Sequence, residues 1–135
     1  MMHALKPAVL LLAPLALGAC THVQGTPIMD AQQVQPSGTV PLGQPVRVGS
    51  MVATPLEVAE DSRCPMNARC VWAGRVILVT RIDGAGWSET VPLTLGEPHG
   101  TPKGVTISLT SVSPERVTGK EPVPGEYRFG FEGGN

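Results

Sequence analysis

Few residues in this chain could do chemistry. Cysteine occurs three times, at Cys20, Cys64 and Cys70. The last two are spaced Cys-x₅-Cys, whereas a dithiol redox pair is usually Cys-x₂-Cys at a helix start that lowers the thiol pKa. His99 lies in the stretch Gly96 to Gly104 (GEPHGTPKG), where a solvated loop side chain is the plain reading. Serine and threonine are plentiful, yet none stands in the G-x-S-x-G pattern that exposes a nucleophile on a sharp turn. Glu57, Glu60 and Asp61 could pair as acid and base, but they serve equally well as turn and edge residues. Met51, Met66 and His99 are soft or borderline ligands suited to Cu(I). They show no motif spacing, and a core or surface role for the methionines is the competing reading. No stretch assembles a nucleophile, a base and an orienting group. No catalytic residue, metal ligand or cofactor is therefore assigned, and a non-catalytic protein is expected.

The elements that must position these residues begin with an address. The chain opens with one basic residue, Lys6, and an apolar run from Pro7 to Leu17 broken by Pro14. A short basic start, an apolar stretch of about 7–15 residues and small residues before a cut site describe a secretory signal. The run is shorter than the about 20 apolar residues that a permanent spanning helix needs. It ends in Leu17-Gly18-Ala19-Cys20, which resembles the lipobox of bacterial lipoproteins. The resemblance implies removal of residues 1–19 and attachment of lipid to the Cys20 thiol. Acyl chains anchor because each buried CH₂ contributes about 0.8 kcal/mol. Thr21, rather than Asp, follows the cysteine, which in that family implies the outer membrane facing the periplasm for a Gram-negative source. An ordinary signal peptide with a chance cysteine is the alternative.

With Lys6 removed, the formal charge moves from −1 to about −2. There is no basic run, which argues against nucleic acid as a partner. The chain is rich in Gly and Pro and poor in aromatic residues. Once Cys20 is lipidated, Cys64 and Cys70 remain as an even pair in an exported domain, and such a pair reads as a disulfide.

Residues 20–38 read as the lipidated cysteine and a tether, since Gln, Pro, Thr and Gly there show no sustained apolar period. A flexible tether of this length spans about 20–25 Å on average. An extra first strand near Val34 is the alternative. Residues 39–135 read as a single all-β domain, a small antiparallel sandwich or barrel-like fold. Val46-Arg-Val48, Leu56-Glu-Val58, Val91-Pro-Leu93-Thr-Leu95, Val105-Thr-Ile107-Ser-Leu109 and Tyr127-Arg-Phe129-Gly-Phe131 alternate. Alternation predicts half-buried strands. Val76 to Val79 is a continuous apolar run, which suits a strand buried on both faces or the middle of a sandwich. Asp83-Gly-Ala-Gly86 predicts a hairpin connection, and Pro92 predicts an edge strand or bulge. Gly96–Gly104 and Pro114–Gly125 read as loops.

Residues 60–74 read Glu-Asp-Ser-Arg-Cys-Pro-Met-Asn-Ala-Arg-Cys-Val-Trp-Ala-Gly. This resembles small exported bacterial proteins, many of them lipoproteins, that carry Asp-Ser-Arg-Cys-Pro followed by Cys-x-Trp-x-Gly. The matching positions are Asp61, Ser62, Arg63, Cys64, Pro65, Cys70, Trp72 and Gly74. The resemblance implies a compartment and a strand layout, and no activity. On the residues alone, a disulfide closing so short a ring contributes about 2–2.5 kcal/mol in the chain-entropy model. Asp61 is expected to accept backbone N–H groups in an Asx-type turn or to pair with Arg63. Trp72 is expected to pack inward beside Val76 and Leu78. Two readings of the loop compete: a rigid surface offering Arg63, Met66, Asn67 and Arg69 to a partner, or a clamp between strands with solvated arginines. The expected function is a membrane-anchored binding or structural module of the cell envelope with an unidentified envelope protein or ligand as partner. The alternatives are an inhibitor of a periplasmic or extracellular hydrolase and a soft-metal binder.

Overall fold

The structure is a computed structural model, and it describes residues 33–135. The signal reading of residues 1–19 and the lipid reading of Cys20 lie outside the described residues. The chain forms β1 (Val46–Val48), β2 (Met51–Asp61), β3 (Val76–Gly84), β4 (Trp87–Thr94), β5 (Pro98–Gly100), β6 (Thr106–Ser113) and β7 (Arg128–Gly133). A single 3₁₀ turn, Pro124–Glu126, precedes β7. The architecture is all-β, as the alternating pattern requires. One antiparallel sheet has the order β1-β2-β3-β4 and the other the order β5-β6-β7. They remain two sheets and do not close into a barrel.

The inner faces meet in one core. Val46, Val48, Met51, Ala53, Val76, Leu78, Ile82 and Leu93 of the larger sheet are buried against Ile107, Leu109, Val112 and Phe129 of the smaller one. Val40 and Tyr127 close the layer. The expected alternation holds in β1 and in β6 up to Leu109, after which a register shift before Ser111 interrupts it. At β7 it holds through Phe129, but Gly130 is buried as well and Phe131 only half-covered. Alternation holds in β3 too, an interior strand of the sandwich, as the second of the two readings of its apolar run had it rather than burial on both faces: Val76, Leu78 and Thr80 are buried while Ile77 and Val79 are only half-covered. The sandwich has one inner face per sheet, so the outer face of even a central strand meets water. β2 departs from alternation. Its register with β3 shifts between Pro55 and Glu57 and again between Val58 and Glu60. Each bulge adds a residue and turns the following side chains, which leaves Leu56 exposed.

Two turn signals behave as read. Gly84 and Trp87 are paired, so Ala85 and Gly86 form the β3–β4 connection. Gly86 adopts φ 76°, which glycine reaches without a Cβ clash. Pro92 lies in β4, an edge strand, where its missing N–H interrupts no interior ladder. The stretch 96–104 is more structured than expected, because β5 pairs with β6 through Pro98–Ser108, His99–Ile107 and Gly100–Thr106.

The end of the tether segment is already engaged. Gln35 bridges Val46 in parallel, and Val40 and Phe129 exchange both backbone bonds at 3.0 and 2.9 Å. Residues 35–40 therefore cross from the larger sheet to the smaller one, and pairing starts a few residues before position 39.

Candidate functional site

The site grows out of the far end of the β2–β3 pair. Beyond Asp61 and Val76 the ladder continues: the Ser62 N–H donates to Arg75 O at 2.8 Å and the Cys64 N–H to Ala73 O at 3.1 Å. Gly74 permits this. Its φ is +72°, and a Cβ there would lie 1.8 Å from the Ser62 carbonyl oxygen. Any side chain at position 74 would therefore pry the two strands apart. The Cys64–Cys70 disulfide, Cα–Cα 5.8 Å, closes the loop at the tip.

Asp61 and Arg63 latch this end to the other sheet. The Asp61 carboxylate accepts Arg63 Nε at Oδ1 and Arg63 Nη2 at Oδ2, both at 2.8 Å. Its Oδ2 also accepts the Tyr127 hydroxyl at 2.9 Å. Arg63 donates onward from Nη1 to the Val112 carbonyl and from Nη2 to the Pro114 carbonyl, each at 3.0 Å. Their side chains are only 12% and 7% exposed for Arg63 and Asp61, respectively. One fork thus joins the end of β2 to the end of β6 and, through Asp61, to the start of β7. The electrostatics agree. Burial pushes the Asp61 carboxyl up, but the bonds from Arg63 and Tyr127 outweigh it and hold the group below its ordinary value. Asp61 likewise raises Arg63, chiefly through their hydrogen bonds. Tyr127 is pushed up to about 12, by burial first and then by the bond to the Asp61 carboxylate.

The loop itself is docked on the segment that follows β6. Met66 N–H donates to Arg116 O at 2.9 Å, and the Arg116 guanidinium donates to Arg63 O at 3.0 Å. Asn67 Oδ1 accepts the Thr118 N–H at 2.8 Å. An open groove of about 330 Å³, lined by Pro114, Glu115, Val117, Lys120, Pro122 and Glu126, belongs to this same segment.

The structure sorts the residues singled out in the sequence. Asp61 meets both expectations: it pairs with the Arg63 guanidinium, and its Oδ1 also accepts the Arg63 backbone N–H at 3.4 Å in an Asx-type turn. Arg63 is neither offered to a partner nor solvated; it is consumed by the latch. Asn67 spends its side-chain oxygen on Thr118. Met66 and Arg69 are exposed. Trp72 is the clearest correction: it does not pack inward beside Val76 and Leu78 but stands 83% exposed, next to Val71 at 93% and with Met66 at 72%. The left-handed Gly74 lies between Trp72 and Val76 and breaks the alternation on which the inward reading rested. Sequence reasoning did not single out Val71, and its position beside Trp72 in the Cys-x-Trp signature was the available signal.

The other candidate chemistry does not assemble. Met51 is buried at the start of β2, whereas Met66 lies beyond the far end of that strand. His99, read as solvated, instead meets Glu89 of the opposite sheet, Nε2 to Oε1 at 3.2 Å, which joins the β4 and β5 edges. Glu89 is its only side-chain hydrogen-bond partner among the described residues, and no hydroxyl completes a nucleophilic set. Among the described residues no three His, Cys, Asp or Glu side chains converge in a metal-holding group. No protein-family model, curated protein or solved structure matches the chain.

Proposed function

We propose that this chain is an exported lipoprotein, held to a membrane through lipid on Cys20, whose β-domain is a non-catalytic binding module of the cell envelope. The disulfide loop is its contact surface. One observation carries the reading: Met66, Val71 and Trp72 stand in water on a loop fastened by the disulfide, the Asp61–Arg63 latch and the bonds of Met66 N–H and Asn67 Oδ1 to the segment after β6. Large apolar side chains held out of a core on a rigid support are the usual composition of a contact patch. The latch and the disulfide preorganise the patch, so binding need not spend free energy on ordering it. The lipobox-like Leu17-Gly18-Ala19-Cys20 supports the anchor, and Thr21 after it supports the outer membrane of a Gram-negative source.

A photoreactive residue in place of Val71, expressed in intact cells, tests the contact surface. The expected outcome is a discrete adduct with one envelope component, protein or lipid, that is lost when the same residue replaces exposed Thr110 on the far sheet. Equal, diffuse labelling from both positions would count against the module.

The same rigidity favours a second reading, in which the protruding loop enters the active-site cleft of an envelope hydrolase. Assays against lysozyme and common proteases decide it, and no inhibition at micromolar protein removes it.

A further inference from the structure

The composition of the tip narrows what it meets. From Ser62 to Arg75 the chain holds Arg63, Arg69 and Arg75 and no carboxylate. Asp61 neutralises Arg63 and Glu60 pairs with Arg75, while Arg69 has no acidic partner within salt-bridge distance among the described residues. The tip therefore presents an indole, two aliphatic side chains and one uncompensated guanidinium. Trp concentrates at the membrane–water interface because its ring is apolar at one side and polar at the N–H. Arginine beside it keeps its stem in apolar surroundings and its head at the phosphates.

The direction of the chain selects the same occupant. Gln35 lies parallel to Val46, and Gln33 O accepts a bond from Gln44 Nε2 at 2.7 Å. β1 is antiparallel to β2 and so runs away from the disulfide loop. Residues 33–35 run the same way, and their N-terminal end consequently points toward that loop. The parallel register sets Gln33 level with Gln44 and close to Pro55, whose carbonyl bonds Gly43 N–H. From Pro55 to Asp61 is about 20 Å of strand. The stretch from Cys20 to Gln33 can span at most about 45 Å. The described chain thus begins on a heading from the disulfide loop, and a tether of that length is long enough to bring a lipid on Cys20 to the loop.

We infer that the Cys64–Cys70 loop is a membrane-docking tip. Val71 and Trp72 enter the headgroup–acyl boundary of the leaflet that holds the Cys20 lipid, and Arg69 meets a lipid phosphate. The anchor then fixes the orientation of the domain as well as its address. This rests on the proposed lipid at Cys20, and the test separates the two.

The lipidated full chain is reconstituted into vesicles of phosphatidylethanolamine and phosphatidylglycerol, and labelled palmitate reports the anchor. The chain has two tryptophans, so Trp87→Phe leaves Trp72 as the only indole. Phospholipids brominated near the glycerol backbone should quench its emission by about two-fold, as for an indole held at headgroup level. Trp72→Phe, which leaves only Trp87, should show almost no quenching. Should Trp87→Phe fail to fold, the difference between the unmodified chain and Trp72→Phe reads the same quantity. Palmitate on Cys20 with an unquenched Trp72 overturns the docking tip and leaves the anchor standing; a tip occupied by protein gives this result. Absence of palmitate overturns both.

Discussion

Trp72 and Trp87 stand at opposite ends of β3 and are used in opposite ways. Trp87 opens β4 and lays its indole over Gly84, where a Cβ would meet the ring at 2.3 Å, and it packs against the core. Trp72 precedes β3 and touches almost nothing. The two ends are held by different forces to match. The Trp87 end is held by apolar contact and by the backbone bonds of Gly134, which accepts from Ser50 N–H in the β1–β2 turn and donates to Thr106 O of β6. At the Trp72 end the same stabilising work falls to Asp61, Arg63, Tyr127 and the disulfide. An end whose largest side chains face outward must be fastened by polar groups and covalent chemistry, because the apolar area that would otherwise hold it is left in water.

That contrast can be broken. The largest effect is expected for Arg63→Met, which leaves Asp61 buried without its counter-ion and two carbonyls without donors. Losing one partner of a buried pair costs about 3–5 kcal/mol, read as a lower urea midpoint. A loss no greater than that of removing Trp72 would erase the distinction between a latched end and a free tip.

Trp87→Ala should cost about 2–3 kcal/mol in the same assay, since the half-buried ring leaves a gap above Gly84. Tyr127→Phe should cost about 1.5–2 kcal/mol, the lower end of the worth of a hydrogen bond to a charged group. It also sharpens the comparison through pH. Tyr127 ionises at about 12 in the folded chain against about 10 when unfolded. Its contribution is therefore complete below about pH 10 and is lost as pH rises toward 12. Urea midpoints of the unmodified chain should fall across that window more steeply than those of Tyr127→Phe. Asp61 acts at the other extreme: its carboxyl is depressed, so its contribution is present above about pH 4 and lost on acidification. The smallest effect is expected for Trp72→Ala, within about 0.5 kcal/mol of the unmodified chain. A cost as large as that of Trp87→Ala would show that Trp72 packs inward and would remove the basis for the contact surface.

Much of the fold was legible in the residues. Val105-Thr-Ile107-Ser-Leu109 and Tyr127-Arg-Phe129 alternate because each strand has one inner face, and burial follows the same period. Pro92 marked an edge, Asp83–Gly86 a hairpin, and the spacing of Cys64 and Cys70 a closed loop. Less of the site was legible. Extending the period from Val76 back to Trp72 places the indole inside, but that step crosses Gly74, whose left-handed backbone resets the face.

Local chemistry and period were thus determined by the sequence alone: all-β strands, a stapled loop, and Asp61 within reach of Arg63 two residues away. Tertiary structure decided what those groups are for. The partners that turn Arg63 from a surface cation into a latch are the Val112 and Pro114 carbonyls and the Asp61–Tyr127 bond, supplied by chain 49 to 66 residues distant. His99 acquires Glu89 only because two sheet edges meet. Pairings of this kind depend on which sheets stack and in what register, and no local pattern encodes that.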